Sequence, residues 1–173
     1  MTANTTTSYA LSSCDYIVWI YDQNNTPTQV SCFEVTGLNR EYETVIYKHG
    51  FSFVMGYFII QGEIKPINIT LKRVMINKDC IDDIQYLNSW FEGKYEKADG
   101  STRKNKSNLM VDARNIDIVL QYGSTATPIV KWSVLGAVPV KMTPPQFSSG
   151  STDACIETLE LIGKDMTVSN LYS

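Results

Sequence analysis

Histidine is nearly absent from this 173-residue chain, in which His49 stands alone. A Ser/His/Asp triad or a multi-histidine metal site therefore has at most one place to form, and no G-x-S-x-G motif accompanies it. Cysteine pairs are missing too. Cys14, Cys32, Cys80 and Cys155 lie far apart with no C-x-x-C, which reads as reduced, mostly buried thiols rather than a disulfide framework. No run reaches the ~18 apolar residues of a membrane span, and the opening MTANTTTSYALSS lacks the basic cluster and apolar core of a secretory signal. A cytoplasm-like compartment is expected, where the sequons at Asn4, Asn24, Asn68 and Asn105 have no role. Positive charge is also short: 15 Lys plus Arg against 18 Asp plus Glu leave a net −3. Such a surface repels phosphate backbones as a whole, which argues against a sequence-reading nucleic-acid binder.

Helix formers are scarce, with 17 Leu plus Ala against 45 Val, Ile and Thr, a balance that favours pleated sheet. A charged fraction of 19% and a hydrophobic fraction of 43% exclude a disordered or fibrous chain. The length fits one domain with a self-sufficient core. Residues 1–13 read as a flexible arm and 14–173 as a single domain. Strands are expected at 15–21, 30–35, 41–47, 67–76, 115–122, 129–135, 138–142 and 154–162, the first two joined by the turn-rich DQNNTPT. Asp79 as N-cap, Asp82 and Asp83 in the first turn, and Ile81, Ile84, Leu87 and Phe91 at helical spacing predict one helix ending before Gly93. Residues 93–108 read as a polar, basic loop and Phe51 to Ile60 as a connection between strands. The fold class is mainly β: a small antiparallel barrel or sandwich of about eight strands with one flanking helix.

The chain offers little chemistry. Gly100-Ser101-Thr102-Arg103-Lys104 lacks the phosphate-loop frame and follows a helix instead of a strand. Asp79, Asp82 and Asp83 fit a capped helical turn, without the glycine and terminal glutamate of a calcium loop. Glu157 and Glu160 fall on opposite faces of one strand and cannot act as a paired acid and base. No enzyme activity, cofactor or metal is expected.

Two features do not suit a lone monomer. Phe51 to Ile60 (FSFVMGYFII) is nearly all apolar with no polar alternation, and must be buried somewhere. Tyr16, Val18 and Ile20 alternate with Ile17, Trp19 and Tyr21, so the first strand is apolar on both faces. Both point to subunit contacts in an obligate oligomer, with Phe51, Phe53, Val54, Met55, Tyr57, Phe58, Ile59 and Ile60 as the predicted interface.

The order of motifs resembles a known family. Val35-Thr36-Gly37-Leu38 with Glu41 and Glu43, then PINITLKR at 66–73, Trp90, WSVLGAVPVK at 132–141 and IETLEL at 156–161 is similar to the tail-tube proteins of contractile-tailed bacteriophages and of phage-tail-like injection particles. The resemblance implies structural roles for Gly37, Leu38, Leu71, Arg73, Trp90, Trp132, Pro139, Glu157, Leu159, Glu160 and Leu161. It implies hexameric rings stacked head to tail around a continuous inner β-barrel, with Phe51 to Ile64 as the long loop that reaches a neighbouring subunit. Implied partners are further copies of the chain and the sheath, tape-measure, baseplate and terminator proteins. DNA or protein cargo would pass without specific binding, and no membrane insertion of its own is implied. The implied location is a virion tail or injection particle assembled in the bacterial host cytoplasm. Lys94, Lys97, Arg103, Lys104 and Lys106 would then lie outside the lumen, against the next ring or the sheath. A type VI secretion ring protein and a tube-initiator or terminator ring share the implied fold. A monomeric carbohydrate- or ligand-binding β-domain is the reading from another class.

Overall fold

Strict alternation makes the clearest element. In Ile67–Val74 every second side chain, Ile67, Ile69, Leu71 and Arg73, is buried, and Asn68, Thr70, Lys72 and Val74 face outward. The computed structural model describes residues 15–48, 50, 56–74, 79–92, 94–96, 102–104, 112–122, 127–149 and 154–171, with side chains left aside at 79–81, 94–96 and 102–104. The expected arm at 1–13 lies outside the described residues, as do His49, Cys14 and the Cys80 side chain.

Among the described residues twelve strands and one helix follow in chain order: β1 (Tyr16–Tyr21), β2 (Pro27–Val30), β3 (Glu34–Thr36), β4 (Tyr42–Lys48), β5 (Tyr57–Ile64), β6 (Ile67–Val74), α1 (Asp79–Phe91), β7 (Lys94–Glu96), β8 (Thr102–Lys104), β9 (Arg114–Tyr122), β10 (Thr127–Thr143), β11 (Ile156–Gly163) and β12 (Asp165–Asn170). The main sheet runs β2-β1-β9-β10-β11-β6-β3, with β12 also on β10; β4 pairs with β5 and β7 with β8 as separate hairpins. All pairings are antiparallel.

The long strand β10 divides the main sheet into two. Its first part pairs with β9 and β12, and from Val138 onward it pairs with β11. We call β2-β1-β9-β10-β12 the first sheet and β10-β11-β6-β3 the second. Between the two parts the register slips from Val134 to Ala137, and Gly136 takes φ +60 while its N–H donates to Asn115 Oδ1. A glycine in this conformation makes a bulge that bends the strand without ending it. The two strands expected at 129–135 and 138–142 are therefore one. Side chains from both sheets meet in a single core: Val18, Ile20, Ile116 and Val134 from the first, Ile69, Leu71, Leu159 and Leu161 from the second. Leu87 and Trp90 of α1 complete it.

Several expectations need correction. The path of strands has two ends, β2 and β3, with no ladder between them among the described residues, so the closed barrel gives way to two sheets facing across a core. The segment 30–35 is not one strand. β2 ends at Val30 on β1 and β3 begins at Glu34 on β6, because the chain crosses between sheets there, held by Phe33 N–H donating to the Lys72 carbonyl and Tyr16 Oη donating to that of Cys32. Tyr57 to Ile64 is a strand instead of a connection, and the basic segment after α1 carries the β7–β8 hairpin. β11 is not the last strand: the chain reverses at Lys164, whose N–H donates to the Leu135 carbonyl, and returns as β12. The helix stands where expected, but its inward stripe is Asp83, Tyr86, Leu87 and Trp90, at i, i+3, i+4 and i+7, and Phe91 is exposed.

Candidate assembly interface

Two buried arginines fix the helix to the sheets. In the second sheet Arg73 stands opposite Glu157, and its Nη2 donates to Glu157 Oε2 at 2.6 Å. Asp83 of α1 approaches Arg73 Nη1 at 3.9 Å and accepts from the Ser31 N–H. Arg73 Nε and Nη1 have no hydrogen-bond partner, so the charge is held by one good contact and one loose one. At the other end of α1, Arg114 donates through Nε and Nη2 to Asp112 Oδ2 and lies over the rings of Tyr86 and Trp90, 4.9 and 5.0 Å from their centroids. Trp90 Nε1 donates to the Asp112 carbonyl. A charge between two aromatic faces and a carboxylate is a structural clamp. Sequence reasoning missed Arg114, Asp112 and Tyr86, because the Asp112/Arg114 pair lies more than twenty residues from the helix it clamps and carries no motif.

The other residues implied by the resemblance are placed as follows. Leu71, Trp90, Leu159 and Leu161 are buried in the core, and Leu38 and Trp132 pack on its edge. Pro139 is half-buried opposite Leu161, and Glu160 pairs on the surface with Lys141 at 2.7 Å. Gly37 takes φ +86 with its α-carbon against the Asn68 backbone, where a methyl group would overlap the carbonyl oxygen. Only glycine combines this conformation with so close an approach.

Gly37 and Lys65-Pro66 mark the point where β3 and β6 lead into β4 and β5. There the Lys65 N–H donates to the Glu41 carbonyl, Lys65 Nζ lies 3.3 Å from Glu41 Oε2, and Arg40 reaches Asp165 at 3.6 Å. Beyond this base the hairpin pairs with no other strand among the described residues. Its register sets Val45 opposite Ile60, Ile46 opposite Ile59, and Tyr47 opposite Phe58. Val45, Tyr47, Phe58 and Ile60 therefore share one face, and Ile46, Tyr57 and Ile59 the other. Tyr57, Phe58, Ile59 and Ile60 are 60%, 61%, 64% and 53% exposed, and Val45, Ile46 and Tyr47 exceed half. A two-stranded ribbon with large apolar side chains on both faces is marginal in water by itself and marks a contact surface. Val45, Ile46 and Tyr47 were not singled out in the sequence, though the signal was a second apolar run (EYETVIY) shortly before FSFVMGYFII. Phe51, Phe53, Val54 and Met55 lie outside the described residues. So do Lys97, Lys106 and the side chains of Lys94, Arg103 and Lys104, whose backbone forms β7 and β8.

Among the described residues a cleft beside β11 is lined by Gln146, Phe147, Ser148, Ser149, Ala154, Cys155 and Ile156, none of which carries a carboxylate, imidazole or amine. Among the described residues no three His, Cys, Asp or Glu are placed to hold a metal ion, and no helix is long and apolar enough to cross a membrane. Burial pushes the Cys32 thiol up to about 12, against a smaller opposing pull from Arg73. Tyr21 is raised by burial first and by donating to Asp117 second.

No curated protein matches the chain. Among solved structures it is similar to a chain of the PVC sheath-tube complex of an extracellular contractile injection system in the extended state, at 20% identity, 95% of each chain covered and a TM-score of 0.70. It is similar to a chain of the anti-feeding prophage cap (AFP tube terminating cap) at 21% identity, covering 98% of this chain and 99% of that one, with a TM-score of 0.72. These likenesses show a shared fold over nearly the whole length. The sequence itself matches the family described as T4-like virus tail tube protein gp19 over residues 12–167, and with nine-tenths of its length inside that match the chain belongs to this family of structural tail-tube subunits.

Proposed function

We propose that copies of the chain close into six-membered rings that stack head to tail as the inner tube of a contractile tail or tail-like injection particle, a conduit for DNA or protein cargo. The β4–β5 hairpin carries this reading. Seven of its described apolar side chains are more than half exposed, and burying each fully is worth about 1.5–3 kcal/mol, so a second surface must cover them. A neighbouring copy is the natural acceptor, since a head-to-tail contact uses two different patches and propagates into rings and filaments. Phe51, Phe53, Val54 and Met55 precede β5 in the same apolar run of the sequence and are assigned to the same contact. The basic residues Lys94, Lys97, Arg103, Lys104 and Lys106 act between rings or toward the sheath, because six copies in the lumen would hold DNA. The similar chains come from assemblies described as a sheath-tube complex and a tube terminating cap, which supports sheath and terminator partners here. The particle is assembled in the bacterial host cytoplasm.

Negative-stain electron microscopy of the purified chain, together with its mass in solution, tests the reading. Hollow tubes are expected. Discrete six-fold rings that never stack would assign the chain to an initiator or terminator position, and a homogeneous monomer at every concentration would remove the assembly reading altogether.

A further inference from the structure

Two sheet faces point away from the core, and they differ in kind. On the second sheet the registers align outward residues in rows across all four strands: Glu34, Lys72, Thr158 and Thr143 in one, Thr36, Thr70, Glu160 and Lys141 in the next. Each row holds two threonines and one ion pair, Lys72 Nζ to Glu34 Oε2 at 2.9 Å and Lys141 Nζ to Glu160 Oε1 at 2.7 Å. These are the four charges of the two rows, so this part of the face is neutral although the chain carries −3. Val74 and Ile156 stand at one end of the face and Val138 and Ile162 at the other, Val140 is 48% exposed in the bulge beside Lys141, and no aromatic residue stands in either row. The outer face of the first sheet carries Ile17, Trp19, Tyr21 and Val119, all half-buried.

Resting on the tube proposed above, we infer that the outer face of the second sheet lines the lumen and that of the first does not. A wall past which a long polymer slides must offer neither stacking platforms nor unpaired charge. Aromatic faces hold bases and peptide side chains, lone cations hold phosphates, and lone carboxylates hold basic protein segments. The two central rows of the second sheet meet all three conditions; Trp19 and Tyr21 break the first on the other sheet. Connectivity agrees. β3 and β6 run directly into the hairpin that reaches a neighbour, so subunit contacts flank the second sheet and leave its outer face open to the bore. The compensated rows make the wall indifferent to the sign of the cargo's charge.

The test places a thiol on this face by Thr158→Cys and, in a second chain, Thr36→Cys, and counts labelling above that of the parent tubes. Two reagents are used: a small neutral maleimide, and the same maleimide carried on a folded protein too wide to enter a tube end. In assembled tubes both variants should take the small reagent almost completely and the protein-borne one hardly at all, while dispersed subunits take both. Reaction with the protein-borne reagent in intact tubes puts the face outside, and protection from both reagents puts it in a subunit contact; either overturns the inference. If the parent chain forms no rings or tubes, the tube reading has failed first and the inference falls with it.

Discussion

The side chain of Arg73 is 4% exposed and that of Glu157 8%, so neither charge has water to fall back on. Glu157→Ala leaves the guanidinium with Asp83 at 3.9 Å as its remaining counter-charge, and unfolding stability should drop by about 3–5 kcal/mol. Replacing both partners, Arg73→Met with Glu157→Leu, removes the stranded charge and should return most of that loss. Urea titrations of the three chains decide it, and a double variant as unstable as the single one contradicts the assignment. Gly37→Ala forces a methyl group toward the Asn68 carbonyl at φ +86, for a loss of about 1–3 kcal/mol from the backbone conformation alone. Thermal unfolding measures it. For Cys32 the folded pKa of about 12 lies above the ordinary 9.0, so the folded state keeps its proton longer than the unfolded chain does. Stability linked to this thiol is fully present below pH 9.0 and is lost as pH rises toward 12. Cys32 should accordingly resist alkylation in the folded protein at pH 8 and react on unfolding, as mass spectrometry of the labelled chain would read.

At the scale of elements, legibility followed how self-contained each pattern was. β6 and β9 were readable because one face meets the core and the other does not, and α1 because its capping acids and apolar stripe coincide. The helix's inward face was misjudged by one residue, since Trp90 and Phe91 are both aromatic and the choice between them is made by Arg114 and the Asp112 carbonyl, distant in sequence. β10 read as two strands because a glycine in an apolar run signals a break as readily as a bulge. β12 (DMTVSN) was missed because it is short and weakly patterned, and exists by pairing with β10. The apolar segment near residue 57 was recognised as needing burial, but its partner at 41–47 was read only as a strand, without the pairing. That pairing gives the hairpin two separate apolar faces, so each can be tested alone. Phe58→Asp alters one and Ile59→Asp the other. Both side chains are already exposed, so circular dichroism of the subunit should be unchanged, whereas each substitution should abolish high-mass species in sedimentation. A face whose charge leaves assembly intact is not covered by a neighbour.

For the whole molecule, two kinds of contact respond differently to salt. Hairpin docking buries apolar side chains, which added salt does not weaken. Ion pairs that the basic residues Lys94, Lys97, Arg103, Lys104 and Lys106 make on the proposed reading would be screened as the Debye length shrinks from about 10 Å at about 0.1 M to about 3 Å at about 1 M. If the hairpin closes rings and the basic segment joins one ring to the next or to the sheath, rising salt should shorten tubes into single rings before any ring opens. Replacing Lys104 and Lys106 with Gln should mimic high salt at low ionic strength, giving short stacks of intact rings whose length no longer changes when salt is added. Tube lengths counted on electron micrographs across a salt series, for the parent and the doubly substituted chain, separate the two contacts. Tubes of the substituted chain as long as the parent's at low salt move the basic segment off the ring-to-ring contact, and rings that open before tubes shorten would show that charge, not the hairpin, closes the ring.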